Sequence, residues 1–198
     1  MNQRTLMLSV TGAAAAMVAV LVGIMIWVYA TTPRTGAFHV AFSLVDDKGH
    51  AVDQTMFKGH PAIVYFGYTH CPEVCPTTLL DVAGWLHDLG PQANDLKAYF
   101  FTVDPERDTQ KVMHDYVSNF GDRITGVTGD PKEMKKVIDG WMIHASRTPS
   151  SDGNYHMSHT VSLLLVGADG HLKTMIPYET DSQEALATIK SSLLHERL

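Results

Sequence analysis

The sequence predicts an α/β domain behind an N-terminal transmembrane helix. Three observations carry that expectation. An uncharged apolar stretch opens the chain, strand-length apolar runs alternate with helical periodicity further on, and the chain closes on a strand–strand–helix order.

The opening stretch sits within residues 1–30. No charge falls between Thr5 and Pro33, and Leu6 to Ala30 is apolar on every face. About 25 residues at about 1.5 Å each exceed the roughly 30 Å hydrocarbon core of a bilayer. Trp27 and Tyr29 stand at one end, as an interfacial aromatic pair does. Val28-Tyr29-Ala30 offers a small-residue cleavage pattern. The stretch is nevertheless longer than the roughly 7–15 apolar residues of a signal peptide, so it reads as an uncleaved anchor. Arg4 and the terminal amine precede it and Arg34 follows, a small bias toward a cytoplasmic N-terminus. No transit-peptide pattern comes before it. The simplest placement is a bacterial inner membrane, crossed once, with the domain facing the periplasm.

Residues 31–37 form a polar linker containing Pro33 and Gly36, and the folded domain is expected over 38–198. Phe38 to Leu44 alternates as an early strand, with a turn at Asp47-Lys48-Gly49-His50. Ala62 to Gly67 is a continuous run of β-formers, suited to a strand covered on both faces. Leu79, Val82, Leu86 and Leu89 recur at helical spacing until Gly90-Pro91 stops them. Leu96 to Val103 reads as a buried strand, Thr109 to Phe120 as a helix, and Ile124 to Thr128 as a short strand. Pro131 to His144 reads as a helix with proline in its first turn. Thr160 to Val166 and Gly170 to Ile176 form a hairpin, and Asp181 to Leu194 a capped amphipathic helix. A β–α–β unit followed by a terminal β–β–α is the thioredoxin layout.

Composition excludes little but is useful once. The net charge of −6 and the scattered Lys and Arg residues leave no footprint for nucleic acid.

The only two cysteines fall in Tyr68-Thr69-His70-Cys71-Pro72-Glu73-Val74-Cys75-Pro76, between a strand and a helix. N–H groups at a helix start favour a thiolate there. As a structural staple, so short a loop contributes only about 2 kcal/mol. Residues four apart on a helical turn have Cβ atoms about 5–6 Å apart, whereas a disulfide wants about 3.5–4.5 Å. A trigonal metal with bonds near about 2.3 Å wants its two sulfurs about 4 Å apart, within reach of these side chains. The spacing therefore permits a metal, and permits a disulfide where the turn is irregular, which Pro72 allows. Soft thiolates select Cu(I), zinc or iron–sulfur clusters. Two cysteines alone cannot hold a cluster, and structural zinc needs two further ligands. Two thiolates and one imidazole suffice for copper. Of the 11 histidines, His159 stands out because it lies just before the apolar run Val161 to Val166.

At these residues the sequence resembles the Sco/SenC/PrrC family. Tyr65 to Pro76 is similar to that family's signature, Thr102 to Thr109 to its second block, and Ser158-His159-Thr160 with Gly167 to Gly170 to its third. The blocks occur in family order, over roughly residues 38–196. The resemblance implies a thioredoxin-like fold and copper, as Cu(I) or Cu(II), held by Cys71, Cys75 and His159. It also implies a metallochaperone role in assembling the binuclear copper site of cytochrome c oxidase. The partner would be the copper-bearing oxidase subunit or another copper chaperone. The family commonly has Asp before the histidine, where this chain has Ser158. A carboxylate there would orient the imidazole, so its absence bears on copper affinity.

Met157 would share a strand face with His159, His156 would face away, and His70 adjoins Cys71. Asp104 ends a strand near the cysteine loop, where open α/β sheets place sites. A second reading makes Cys71 and Cys75 the catalytic pair of a membrane-anchored thiol–disulfide oxidoreductase acting on client cysteines. Val74-Cys75-Pro76-Thr77 resembles a peroxiredoxin locally, but the Pro and Thr expected before that cysteine are Tyr68 and Pro72.

Overall fold

The structure is a computed structural model that describes residues 16–27, 40–150 and 153–195. Residues 16–27 are helical and exposed. Among the described residues no helix is long and apolar enough to cross a membrane. The rest of the expected span (6–15 and 28–30), the linker 31–37 and the strand start at 38–39 lie outside the described residues.

From Val40 onward the chain builds a seven-stranded sheet. Its strands are β1 (Leu44–Asp46), β2 (Ala51–Val52), β3 (Ala62–Gly67), β4 (Lys97–Thr102), β5 (Ile124–Thr128), β8 (Leu163–Val166) and β9 (Leu172–Ile176). A separate two-stranded sheet holds β6 (Ala145–Pro149) and β7 (Tyr155–His159). The helices are α1 (Val74–Leu89), α2 (Gln110–Val117), α3 (Pro131–Gly140) and α4 (Ser182–His195). Strand order in the large sheet is β2-β1-β5-β4-β3-β8-β9. Strands β3, β4 and β5 run parallel, and β8 returns antiparallel beside β3.

Every residue of β3 is buried, as its unbroken apolar run requires. Its two faces meet different layers. Tyr65 stacks with Phe100, which faces Tyr116 of α2. Phe66 and Phe101 pack on Trp141, just past α3, and Phe57 stacks on Phe101.

Three expectations need correction. Among the described residues the first strand starts at Leu44, and Val40 to Ser43, expected in it, are not strand. Phe42 and Leu44 are buried, so the alternation is real. Side chains nevertheless take the amides there: Gln54 accepts from Phe42 N (3.4 Å) and Glu133 from Ser43 N (3.2 Å). Helix α3 stops at Gly140, not His144, because Met142 takes a left-handed φ of 54°. Trp141 continues the apolar pattern but turns into the core, its ring 4.9 Å from Phe57. The third correction is the hairpin β6–β7. Its strands are mostly polar and alternate only between half-buried and exposed in β7, so no apolar run announced it. His159 is therefore the last residue of β7, not a loop residue ahead of a strand, and the strand expected from Thr160 begins at Leu163.

Candidate metal centre

Cys71 lies in the loop after β3 and Cys75 in the first turn of α1. Backbone geometry sets the loop. Cys71 N donates to Tyr68 O (3.2 Å) and Val103 N donates to Gly67 O (2.7 Å). Asp108, fully buried, accepts from Thr69 N (3.0 Å), Thr69 Oγ1 (2.6 Å) and Thr102 Oγ1 (2.6 Å). The cysteine loop is thereby pinned to the end of β4.

Gly67 is required by close packing. A Cβ there would stand 2.6 Å from Phe100 Cε2 and 2.8 Å from Cys75 Sγ.

Among the described residues, one group of potential ligands is close enough to share a metal ion. Sulfur atoms of Cys71 and Cys75 and a ring nitrogen of His159 all lie within 4.8 Å of one another. Cys75 is buried and Cys71 half-buried, both as free thiols, so the group opens to solvent at Cys71. His159 Nδ1 lies 2.8 Å from Thr160 O. A carbonyl only accepts, so Nδ1 carries the proton, and Nε2 faces Cys75 Sγ, 3.6 Å away. Tyr65 and Tyr68 confine the ring edge-on, with centroids 6.3 and 5.8 Å from it.

The two sulfurs are not equivalent. The Cys75 thiol donating to Cys71 lowers the Cys71 pKa to about 4, against the opposing effect of burial. His159 and the helix-start amide of Cys75, which donates to Cys71 Sγ at 3.3 Å, act in the same direction. Cys75 is pushed far up by its bond to Cys71 and by burial. The pair loses one proton readily and holds the second, as coupled sites do. Two thiolates and a neutral imidazole suit a soft or borderline metal, and displacing the Cys75 proton frees the third electron pair.

The other sequence candidates fall elsewhere. His70 faces Thr69 Oγ1 (3.0 Å) and Asp108 (3.7 Å), not the sulfurs. His156 is exposed. Met157 is half-buried, packed against the core, and lines a cavity with Val103 and Met134. Ser158 points to the outer face, 3.4 Å from His144 Nε2. The Thr160 carbonyl, not residue 158, orients the imidazole, so the Ser158 departure leaves that support in place. Tyr65, read from sequence as core, is buried but also donates its hydroxyl toward Cys75 Sγ (3.7 Å). Asp104 pairs with Arg107 and accepts from Tyr155 OH (2.8 Å). Asp108, Arg107, Tyr68 and Tyr155 were not legible as site supports. All but Tyr155 lie inside the blocks that resemble the family's, where Asp-Pro-Glu-Arg-Asp after a buried strand was the available signal.

A thioredoxin-like domain that gathers two thiols and an imidazole at the end of its central strand defines a protein built to hold a soft metal. The chain belongs to the SCO1/SenC family, whose model matches residues 30–194. It is 34% identical over 129 residues to "Protein SCO1 homolog 1, mitochondrial" of Arabidopsis thaliana, covering 65% of this chain and 39% of that protein. It is 30% identical over 152 residues to an SCO2-like protein of Rickettsia prowazekii, covering 76% of this chain and 74% of that protein. The copper-bound structure of Bradyrhizobium japonicum ScoI superposes with a TM-score of 0.71 at 39% identity, covering 77% of this chain and 97% of that one.

Proposed function

We propose that this protein is a copper metallochaperone that binds one copper through Cys71, Cys75 and His159 and helps assemble the binuclear copper site of cytochrome c oxidase. One observation carries the reading: three ligand atoms of the right chemistry already lie within 4.8 Å of one another. The related ScoI structure with copper bound supports it. Copper is the cargo. A metal on two thiolates, one of them half-exposed, can pass by stepwise ligand exchange to thiols of a partner, the copper-bearing oxidase subunit or another copper chaperone. Residues 1–30 anchor the chain in a bacterial inner membrane, 31–37 link, and the domain 38–198 faces the periplasm.

The asymmetry of the thiols favours a second reading, a thiol–disulfide oxidoreductase. Cys71, half-exposed and with its pKa lowered to about 4, would attack, and buried Cys75 would resolve. His159→Ala separates the two. It weakens copper binding, most for Cu(II), and impairs transfer while leaving reduction of a client disulfide largely intact. A His159→Ala protein that transfers copper as well as wild type does contradicts the metallochaperone assignment.

A further inference from the structure

His159 rides on a hairpin that shares no backbone ladder with the main sheet. Side chains therefore help hold it over the sulfurs, and one residue gathers several of those contacts. Arg107 Nε donates to Asp104, a carboxylate 1% exposed at the end of β4. Its Nη1 donates to Asn154 Oδ1 (3.2 Å) and Tyr155 O (3.1 Å), on the approach to β7. Its guanidinium lies 3.7 Å from the centroid of the Tyr155 ring and 5.8 Å from that of Tyr68. Tyr155 OH closes the unit by donating to Asp104 Oδ1 (2.8 Å), and the Tyr68 ring stands edge-on to His159. The other charged tie, Arg147 to Glu106 (2.6 Å), joins two half-exposed side chains and is screened by solvent.

We infer that Arg107 is a positioning residue for His159: a strut, anchored on Asp104 and braced on Tyr155, that holds the imidazole within reach of the two sulfurs. This rests on the copper reading. The sulfurs themselves do not depend on the strut, because Thr69 and Asp108 hold their loop. The consequence is selective. Cu(I) is satisfied by two soft thiolates, whereas Cu(II) gains more from an imidazole nitrogen. Loosening the strut lowers Cu(II) affinity and spares Cu(I).

The test uses the full chain as wild type, Arg107→Ala, Arg107→Lys and Tyr155→Phe, with and without His159→Ala. Arg107→Ala strips the buried Asp104 of its cation and is the variant at risk of unfolding. Arg107→Lys keeps a cation beside Asp104 but lacks the fork that reaches Asn154 and Tyr155 O, so the inference stands on it; Tyr155→Phe keeps every Arg107 contact and removes only the hydroxyl's bond to Asp104. Cu(II) affinity is expected to fall about 10- to 100-fold in Arg107→Ala, the range for outer supports of metal ligands, and by less in Tyr155→Phe. Cu(I) affinity should change less than about threefold, and Arg107→Lys should recover part of the loss. In the His159→Ala background neither change should cost anything further. Without metal, amide hydrogen exchange should quicken in Tyr155–His159 and not in Ala62–Gly67. An unchanged Cu(II) affinity in Arg107→Lys, or the same loss without His159, overturns the inference. Wild type that holds no copper overturns the copper reading instead, and the metal-free exchange then decides the strut alone.

Discussion

Cys71 is held as a thiolate by its neighbours, and that has a stability consequence with a definite sign. Its pKa falls from 9.0 to about 4 on folding, so between those values the native state binds fewer protons than the unfolded chain. The contribution is complete above about pH 9 and is lost as pH falls toward about 4. Cys75 works oppositely, since its raised pKa keeps it protonated while the unfolded thiol ionises near its ordinary value of 9.0. The reduced, metal-free protein should therefore gain stability from pH 5 to pH 8 relative to Cys71→Ser, and lose part of that gain above about pH 9. Urea midpoints of the two proteins across that range check it; parallel curves refute it. Alkylation of Cys71 should likewise persist down to about pH 5, where an ordinary thiol is inert. Gly67 makes the second prediction at this scale. With Phe100 Cε2 2.6 Å and Cys75 Sγ 2.8 Å from the new Cβ, Gly67→Ala should cost about 1–3 kcal/mol and displace Cys75 from the ligand group. Denaturation together with copper titration measures both effects.

At the scale of elements, the site joins two differently held pieces. The β3–α1 loop is pinned through Asp108, and the β6–β7 hairpin is laid across from outside the sheet. Asp108→Ala leaves Thr69 N–H, Thr69 Oγ1 and Thr102 Oγ1 without their acceptor in a buried position. A loss of about 3–5 kcal/mol is expected, with a drop in copper affinity because the loop carrying Cys71 is freed. Asp108→Asn should cost less, since one carbonyl oxygen remains to accept; equal, negligible losses for both would show that the loop is held otherwise. The same division explains what the sequence made legible. Strands β3, β4 and β5 and helices α1 and α2 announce themselves by apolar runs and helical spacing, because burial drives both. Cys71 and Cys75 were legible because a thiol pair between strand and helix has few roles. Hairpin β6–β7 is polar and held by Arg107, Tyr155 and Asp104, so neither period nor hydropathy marks it. His159 was consequently named from the resemblance and from its place before an apolar run, although its strand is the one it ends.

At the scale of the whole molecule, the domain offers a cysteine pair fixed where β3 passes into α1 and an imidazole brought to it from a separate hairpin. An anchored carrier should also stay with its membrane: the full chain is expected in the alkali-resistant membrane fraction, while residues 36–198 alone should remain in the supernatant. The central claim is that Cys71, Cys75 and His159 form one copper site. Anaerobic Cu(I) and Cu(II) titration of the fully reduced full chain, with Cys71→Ser, Cys75→Ser and His159→Ala alongside, tests it most directly. The account predicts one copper per chain in wild type, loss of tight binding in either serine variant, and a weakened site in His159→Ala that falls most for Cu(II). A reduced wild-type protein that holds no copper, or a His159→Ala protein that binds both ions as tightly as wild type, contradicts it.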